Sequence, residues 1–431
     1  MVDDDFAFVP VPDHKTVSGF RIAIVLTGVI VALPSFIMGA SLGSSLGFRH
    51  GSLSILLGGL VVSAIAMATG GVGARSRLTT AMIARQAFGT FGGRIVSGVL
   101  AVGCLGWFGV TAELFGQSLH QILADLAWDY VPRSALIAMG GLLMMVTTIY
   151  GFSALQRLSS ITVPLLALLI GYTAFLAMRN VPAAALLNGG SRDIGLGDGI
   201  SAIIGSLAVA VTIYPDICRF SSRPRDAGFA AILTYVVAMP VILMLAMIPS
   251  IIMGERDLTV IMTTLGLGVP ALALLGLKAW ATNSGNLYVA ALSTANLLSN
   301  HRQKYIVASI GFIGTLSALM GITSSLVPFL VALGISIPPI AGIYVADFWI
   351  RHRKYDLDVI PPKVNAAALG CWLFGIAAAV AARSGLLTLS GVSAIDAMLA
   401  AAGSYGICRR FWAMSEGEQP VVTGTQADIT R

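Results

Sequence analysis

Long apolar runs separated by short polar loops dominate this chain of 431 residues. The runs are about 20 residues long, which is the length that an α-helix needs to cross the hydrocarbon core of a bilayer. The pattern predicts an all-α polytopic membrane protein with about twelve transmembrane helices. The predicted spans lie at residues 20–46, 52–70, 95–123, 134–150, 158–178, 199–217, 228–252, 269–297, 304–321, 325–350, 365–382 and 391–408.

Composition agrees with a membrane protein and excludes several other classes. The chain is 56% hydrophobic and 11% charged, whereas a soluble domain carries roughly 25% charged residues. The formal charge of +6 reflects basic loops and predicts no nucleic-acid partner. The four cysteines show no metal-site or disulfide spacing, and no cofactor is predicted. The polar N-terminal stretch MVDDDFAFVPVPDHK does not have the pattern of a cleavable signal peptide.

Basic residues concentrate in alternate loops. If the N-terminus is cytoplasmic, the inside loops hold residues such as Arg75, Arg219 and Arg351, whereas the outside loops hold acids such as Asp125 and Glu255. The positive-inside rule then predicts an even number of spans in the cytoplasmic (inner) membrane, with both termini in the cytoplasm.

Two of the predicted spans contain helix-breaking residues at matching places. These residues are Pro34-Ser35, Gly39, Gly43 and Gly47 in the first span, and Gly205-Ser206 and Tyr214-Pro215-Asp216 in the sixth. Proline and glycine inside a span free backbone groups that a cavity, a ligand or a neighbouring helix must satisfy. The pair indicates an inverted-repeat transporter with its site at mid-membrane. The alternative is that both residue types are simply common in membrane helices.

A lysine, Lys278, lies near the middle of the eighth predicted span. Thr282 and Gly285 share its helical face, at i+4 and i+7. Because an ionisable group inside a membrane is costly and usually marks a site or a pathway, this face is predicted to line a site for a cation and a substrate. The alternative is a lysine that snorkels to an interface, but the nearer end of the span is about ten residues, or roughly 15 Å, away.

Glu113 in the third span is a second charge at membrane depth. Two roles are open from the sequence, namely proton coupling and a structural contact near the outer vestibule. The sequence contains no paired-carboxylate motif, no H-E-x-x-H, no G-x-x-x-x-G-K-[ST] and no G-x-S-x-G. It therefore predicts neither catalytic residues nor a pump driven by nucleotide hydrolysis.

Six stretches resemble the nucleobase-cation-symport-1 family, and most closely its bacterial cytosine permeases. They are LTTAMIARQAFG (78–89), GWFGV (106–110), GFSALQRLSSITVP (151–164), PDICRF (215–220), TNSGNLY (282–288) and IPPIAGIYVADF (337–348), in the order of the family. The resemblance implies a LeuT-like five-plus-five inverted repeat with two extra C-terminal helices. It also implies uptake of a small heterocycle by alternating access, usually coupled to Na⁺ or H⁺.

The same resemblance divides the chain into five parts and implies its partners. The parts are a cytoplasmic tail (1–19), two repeat halves (20–180 and 181–350), two further helices (351–408) and a second cytoplasmic tail (409–431). The implied partners are a heterocyclic substrate, a proton and membrane lipid, and the protein is expected to be a monomer.

The resemblance also implies the substrate site. Its residues here are Cys104, Trp107, Ser206, Leu207 and Asn283. Thr111 is added because it shares the helical face of Trp107, and Asn286 is a second candidate beside Asn283. Trp107 is expected to stack on a flat ring, a contact that contributes on the order of 1–3 kcal/mol. Leu207 stands where the cytosine permeases carry a second aromatic residue, so one ring face is missing. Asn283 can donate and accept hydrogen bonds. The alternatives are helix packing for Trp107 and an interhelical hydrogen bond for either asparagine.

In sodium-coupled relatives, the ion lies between the broken first span and span eight. The matching groups here are the carbonyls of Gly28, Val31 and Lys278 and the hydroxyl of Thr282, while a second hydroxyl has become Ala281. We predict that the Lys278 ammonium replaces sodium in this cage. Because burial disfavours the charged form of a lysine, its proton is predicted to be the coupled ion. A permanently charged lysine in a uniporter is the alternative.

Two other functions stay open at this point. Leu207 and Cys104 are compatible with the same fold carrying an amine, an amino acid or a vitamin precursor. A membrane receptor that does not transport is the third interpretation, although the short polar tails leave no room for a signalling domain.

Overall fold

The computed structural model describes residues 9–128, 130–150, 152–179, 181–188, 190, 194–298, 302–351, 355, 357, 361–386 and 389–415. The described part is helical, and its β pairing is limited to an isolated bridge between Val17 and Ser221. The outer part of each predicted tail, at residues 1–8 and 416–431, lies outside the described residues.

Helices follow one another along the chain with short connections. They are α1 (Gly19–Ile30), α2 (Leu33–Ser76), α3 (Thr80–Phe88), α4 (Thr90–Asp125), α5 (Arg133–Tyr150), α6 (Phe152–Met178), α7 (Leu196–Thr212), α8 (Pro215–Cys218), α9 (Pro224–Ile232), α10 (Met239–Met253), α11 (Leu258–Thr264), α12 (Gly268–Leu298), α13 (Gln303–Leu319), α14 (Leu326–Ser336), α15 (Pro338–Ile350), α16 (Ala366–Arg383) and α17 (Ser393–Ser415). A π-helical segment, Leu233–Ala238, joins α9 to α10.

Seven helical stretches in the described part are long and apolar enough to cross a membrane. They are Leu33–Ser76, Thr90–Asp125, Arg133–Tyr150, Ile161–Met178, Pro224–Met253, Pro328–Ile350 and Ala366–Arg383. Two shorter apolar helices, α1 and α7, accompany them. The chain bends inside α2 at Gly47, whose φ of 70° lies in the left-handed region that glycine adopts readily. This bend falls where the sequence predicts the boundary between the first and second spans.

The first predicted span is broken, at Val31 and Ala32. Ala32 is extended, with φ −147° and ψ 156°, and its N–H donates to the Ile30 carbonyl at 2.7 Å. In a continuous helix that N–H would donate to the Gly28 carbonyl, which therefore needs another donor. Pro34 lies in the first turn of α2, where its missing N–H costs nothing. The break thus precedes the proline. Gly39 and Gly43 are helical, whereas Gly47 forms the separate bend inside α2.

The predicted break at Gly205-Ser206 is wrong. Helix α7 continues through both residues, and the Ser206 hydroxyl donates to the Ile203 carbonyl within the helix at 2.8 Å. Gly205 has a packing role instead, because a Cβ there would collide with the Leu330 carbonyl oxygen of α14. The helix ends further on, at Ile213.

Carbonyls at that end of α7 are satisfied by neighbouring helices. The Thr69 hydroxyl of α2 donates to the Val211 carbonyl at 2.8 Å, and the Tyr344 hydroxyl of α15 donates to the Thr212 carbonyl at 2.8 Å. Pro215 has no N–H for the Val211 carbonyl, and the Asp216 N–H donates to the Ile213 carbonyl instead of that of Thr212. The two side chains therefore supply donors that the backbone does not.

Candidate substrate and cation site

Lys278 lies in the interior and is only 2% exposed. Its Nζ donates a hydrogen bond of 2.9 Å to the Gly28 carbonyl, so it connects α12 to the end of α1. This carbonyl is the acceptor that the helix break leaves without its backbone donor. A cation also interacts favourably with the negative end of a helix dipole. The side chain therefore points into the protein and does not snorkel to an interface.

Other residues predicted for the cation cage lie close in sequence to Gly28 and Lys278. Val31 is non-helical, with ψ 77°, as the break requires. Thr282 is one turn beyond Lys278, and its buried Oγ1 has no hydrogen-bond partner within the described residues. The buried Oγ1 of Thr111 on α4 likewise has no hydrogen-bond partner within the described residues. Because an unsatisfied buried hydroxyl is costly, each of these two hydroxyls is suited to accept a hydrogen bond from, or donate one to, an ion-bound water, a water or a substrate.

Helices α4 and α12 run antiparallel beside each other. The Phe115 ring lies next to Gly276 near one end of the pair, and Leu297 lies next to Gly98 near the other. The residues between these contacts include Trp107 and Thr111 on α4 and Thr282 on α12. The arrangement thus brings the predicted ring-stacking residue and the predicted cation face onto one pair of adjacent helices.

Trp107 is half-buried and makes an edge-to-face contact with Phe329 of α14. The ring centroids are 5.8 Å apart and the planes cross at 76°. The sequence did not single out Phe329, because a phenylalanine in an apolar run carries no distinctive signal. Gly106, which precedes the tryptophan, could have suggested a close neighbour, since a Cβ there would meet the Phe329 ring.

The predicted residues on α4 and α7 lie on neighbouring helices. A Cβ on Gly103 would be 2.8 Å from Val209 of α7, which places the next residue, the buried Cys104, beside that helix. Ser206 and Leu207 are both half-buried. Leu207 packs against the hydrophobic cluster that also contacts Trp107.

Asn283 holds helices together in this structure. It is 0% exposed, and its Nδ2 donates to the Phe108 carbonyl of α4 at 3.0 Å and to the Met144 sulfur of α5 at 3.1 Å. Its Oδ1 accepts from Nδ2 of Asn286 at 3.4 Å. Both amide hydrogens are therefore committed to protein acceptors, which is the interhelical alternative that the sequence left open.

Glu113 is also engaged by protein groups. Its Oε1 pairs with Nη2 of Arg133 at 2.7 Å, and its Oε2 accepts from the Thr323 N–H at 2.8 Å. The carboxylate, only 2% exposed, thereby ties α4 to α5 and to the turn before α14. These contacts correspond to the structural role among the two that the sequence allowed.

Comparisons with known proteins agree with this architecture. A family model described as permeases for cytosine/purines, uracil, thiamine and allantoin matches residues 10–407. The cytosine permease of Escherichia coli (strain K12) is 29% identical over 399 residues, which are 90% of this chain and 93% of that protein.

Solved structures show the same fold at low sequence identity. The inward-facing conformation of Mhp1 superposes with a TM-score of 0.84 at 19% identity, covering 94% of this chain and 93% of that one. The closed conformation of Mhp1 with bromovinylhydantoin bound gives a TM-score of 0.80 at 19% identity, over 95% and 96% of the two chains. Mhp1 is described there as a nucleobase-cation-symport-1 family transporter.

Proposed function

Because this chain belongs to the family of permeases for cytosine/purines, uracil, thiamine and allantoin, we propose that it is a secondary active importer of a nucleobase or a related small nitrogen heterocycle. The proposed importer works by alternating access and acts as a monomer. It lies in the cytoplasmic (inner) membrane, with both termini in the cytoplasm. Its two repeat halves comprise residues 20–180 and 181–350.

The hydrogen bond between Lys278 and the Gly28 carbonyl carries the proposal about coupling. An ammonium group has a single positive charge and three donors, so it can satisfy the carbonyl and hydroxyl oxygens that would otherwise surround a sodium ion. The amine is covalently attached to α12, and an external cation has to compete with it. The importer is therefore proposed to need no sodium.

The proton on the amine is the proposed coupled ion. Protonated Lys278 holds the end of α1 against α12, and loss of the proton removes one donor and the positive charge from that contact. The two protonation states thus differ in how firmly the broken helix is attached, which is the differential interaction that a coupled conformational change requires. A lysine that stays charged throughout would instead make the protein a uniporter.

Substrate recognition is proposed to centre on Trp107. Its half-buried indole offers a rigid face for a planar ring. The Thr111 hydroxyl, which has no hydrogen-bond partner among the residues that the structure describes, lies on the same side of α4. Ser206 and Leu207 on α7 complete the wall. Since Leu207 gives apolar contact but no π-face, a bulkier or less planar nitrogen compound, including an amine, an amino acid or a vitamin precursor, is the second candidate cargo.

A thermal-stabilisation screen of the purified protein separates the two classes of cargo. We expect pyrimidines, purines or hydantoins to raise the melting temperature, and we expect Trp107→Ala to abolish that shift because it removes the stacking face. At a ligand concentration of 100 times Kd, the expected stabilisation is about 2.7 kcal/mol. Stabilisation by amines, amino acids or vitamin precursors alone would contradict a nucleobase cargo.

A further inference from the structure

Phe329 of α14 contacts Trp107, the residue proposed above to hold the substrate ring. The two aromatic side chains are in edge-to-face contact, with centroids 5.8 Å apart. Leu207 on α7 cannot make an aromatic contact with a substrate ring, because its side chain is aliphatic. We propose that Phe329 is the second aromatic residue of the substrate site and that α14 supplies the ring contact that α7 does not. This proposal rests on the function proposed above and concerns its specificity for aromatic rings.

The position of the aromatic pair within the core supports this assignment. Trp107 and Phe329 each pack against both large hydrophobic clusters of the protein, and both are half-buried. One cluster includes Val110 and Leu275, and the other includes Cys104 and Val209. The aromatic pair therefore lies where the two hydrophobic clusters meet.

The surface of α4 is shaped to receive the Phe329 ring. A Cβ on Gly106 would collide with Cε2 and Cζ of Phe329, so the ring occupies space that exists because residue 106 has no side chain. Trp107 follows directly in the sequence. A glycine and a tryptophan in succession thus give one helix both the recess for the second ring and the face for the ligand.

Glu113 acts as a positioning residue for this aromatic pair. It lies about 9 Å along α4 from Trp107, and its Oε2 accepts from the Thr323 N–H at 2.8 Å. The turn Ile322–Ser325 leads directly into α14, which carries Phe329. The buried carboxylate therefore fixes the start of α14 against the helix that presents Trp107.

If Phe329 contacts the substrate ring, the protein should bind aromatic ligands more tightly than reduced ones. Rings that stack have a favourable arrangement of their quadrupoles in addition to apolar contact, whereas a leucine side chain provides apolar contact alone. Phe329→Leu should therefore weaken binding of a fully aromatic base more than binding of a reduced analogue of similar size and hydrogen-bonding groups.

The test measures equilibrium binding of tritiated cytosine and tritiated uracil to the purified full-length protein, with 5,6-dihydrouracil as the competing reduced analogue. For Phe329→Leu we expect the affinity for both bases to fall about tenfold, and the affinity for dihydrouracil to change less than about twofold. Phe312→Leu is the matched control, because Phe312 on α13 is exposed and lies outside the aromatic pair. It should bind both bases as the wild type does.

A second variant displaces the ring without removing it. Gly106→Ala pushes on Phe329 and should also weaken binding of both bases, but it should add little in the Phe329→Leu background, because coupled sites are not additive. The proposal would be overturned if the affinity losses of Gly106→Ala and Phe329→Leu were additive. It would also be overturned if Phe329→Leu lowered the affinity for the bases and for dihydrouracil equally, or left the affinity for the bases unchanged. If the wild type binds neither base, a pyrimidine cargo is excluded and the present proposal fails with it. If the wild type binds them and Phe329→Leu leaves their affinity unchanged, only the role of Phe329 is refuted.

Discussion

Lys278→Met should abolish substrate uptake although the protein still inserts into the membrane and folds. Methionine keeps most of the length and apolar contact of the lysine stem but cannot donate to the Gly28 carbonyl, which Nζ approaches at 2.9 Å. That acceptor lies at the break between α1 and α2, where its helical donor, the Ala32 N–H, is directed to the Ile30 carbonyl instead. The net loss for a hydrogen bond from a charged donor is about 1.5–3 kcal/mol, enough to loosen the end of α1.

Uptake by proteoliposomes checks this expectation, with a thermal melt of the same preparation as the folding control. Lys304→Met is the matched substitution, because Lys304 is exposed and contacts the Tyr150 ring at the start of α13. It should transport at the wild-type rate. Normal uptake by Lys278→Met, with normal folding, would show that the amine has no part in energising transport.

Sodium sensitivity should appear when Lys278→Asn is combined with Ala281→Thr. The first change removes the competing ammonium and leaves the backbone carbonyl of residue 278, and the second adds a hydroxyl beside that of Thr282. Together with the carbonyls of Gly28 and Val31, these groups would form an oxygen-rich site, and hard cations prefer oxygen ligands. Sodium at ten times its Kd should then raise the apparent free energy of unfolding by about 1.4 kcal/mol.

Thermal melts in sodium and in choline measure this effect, with potassium as a check on selectivity. Ala281→Thr alone is the informative control, because the lysine amine still fills the site, and it should not respond to sodium. A double variant that melts identically in sodium and choline would contradict the assignment of the Lys278 amine to a cation site.

The sequence predicted a broken first span from its proline and glycines, and a site at Lys278 because charges are rare in apolar runs. Lys278 was prominent for that reason, and the structure places its amine on the carbonyl expected of a cation. The exact break was displaced from Pro34 to Val31 and Ala32, since a proline fits the first turn of a helix and need not interrupt one.

For other residues, the same sequence pattern is compatible with two different structural roles. Gly205 permits close packing against α14, and from the sequence alone that role looks the same as a helix break. The Asn283 amide could hydrogen-bond to the edge of a base, but in the structure it donates to the Phe108 carbonyl and the Met144 sulfur. The sequence does not distinguish these two roles. Phe329 gave no signal, because only the three-dimensional approach of α14 to Gly106 and Trp107 distinguishes it from other apolar residues.

The most direct test of the account is the initial rate of tritiated cytosine uptake by wild-type proteoliposomes, with sodium and the pH gradient varied separately. With Lys278 in the place of the cation, the rate should be the same in sodium and in choline, and it should rise when an inward proton gradient is imposed. Equal rates with and without that gradient would favour the uniporter. Uptake that requires sodium would contradict the central claim.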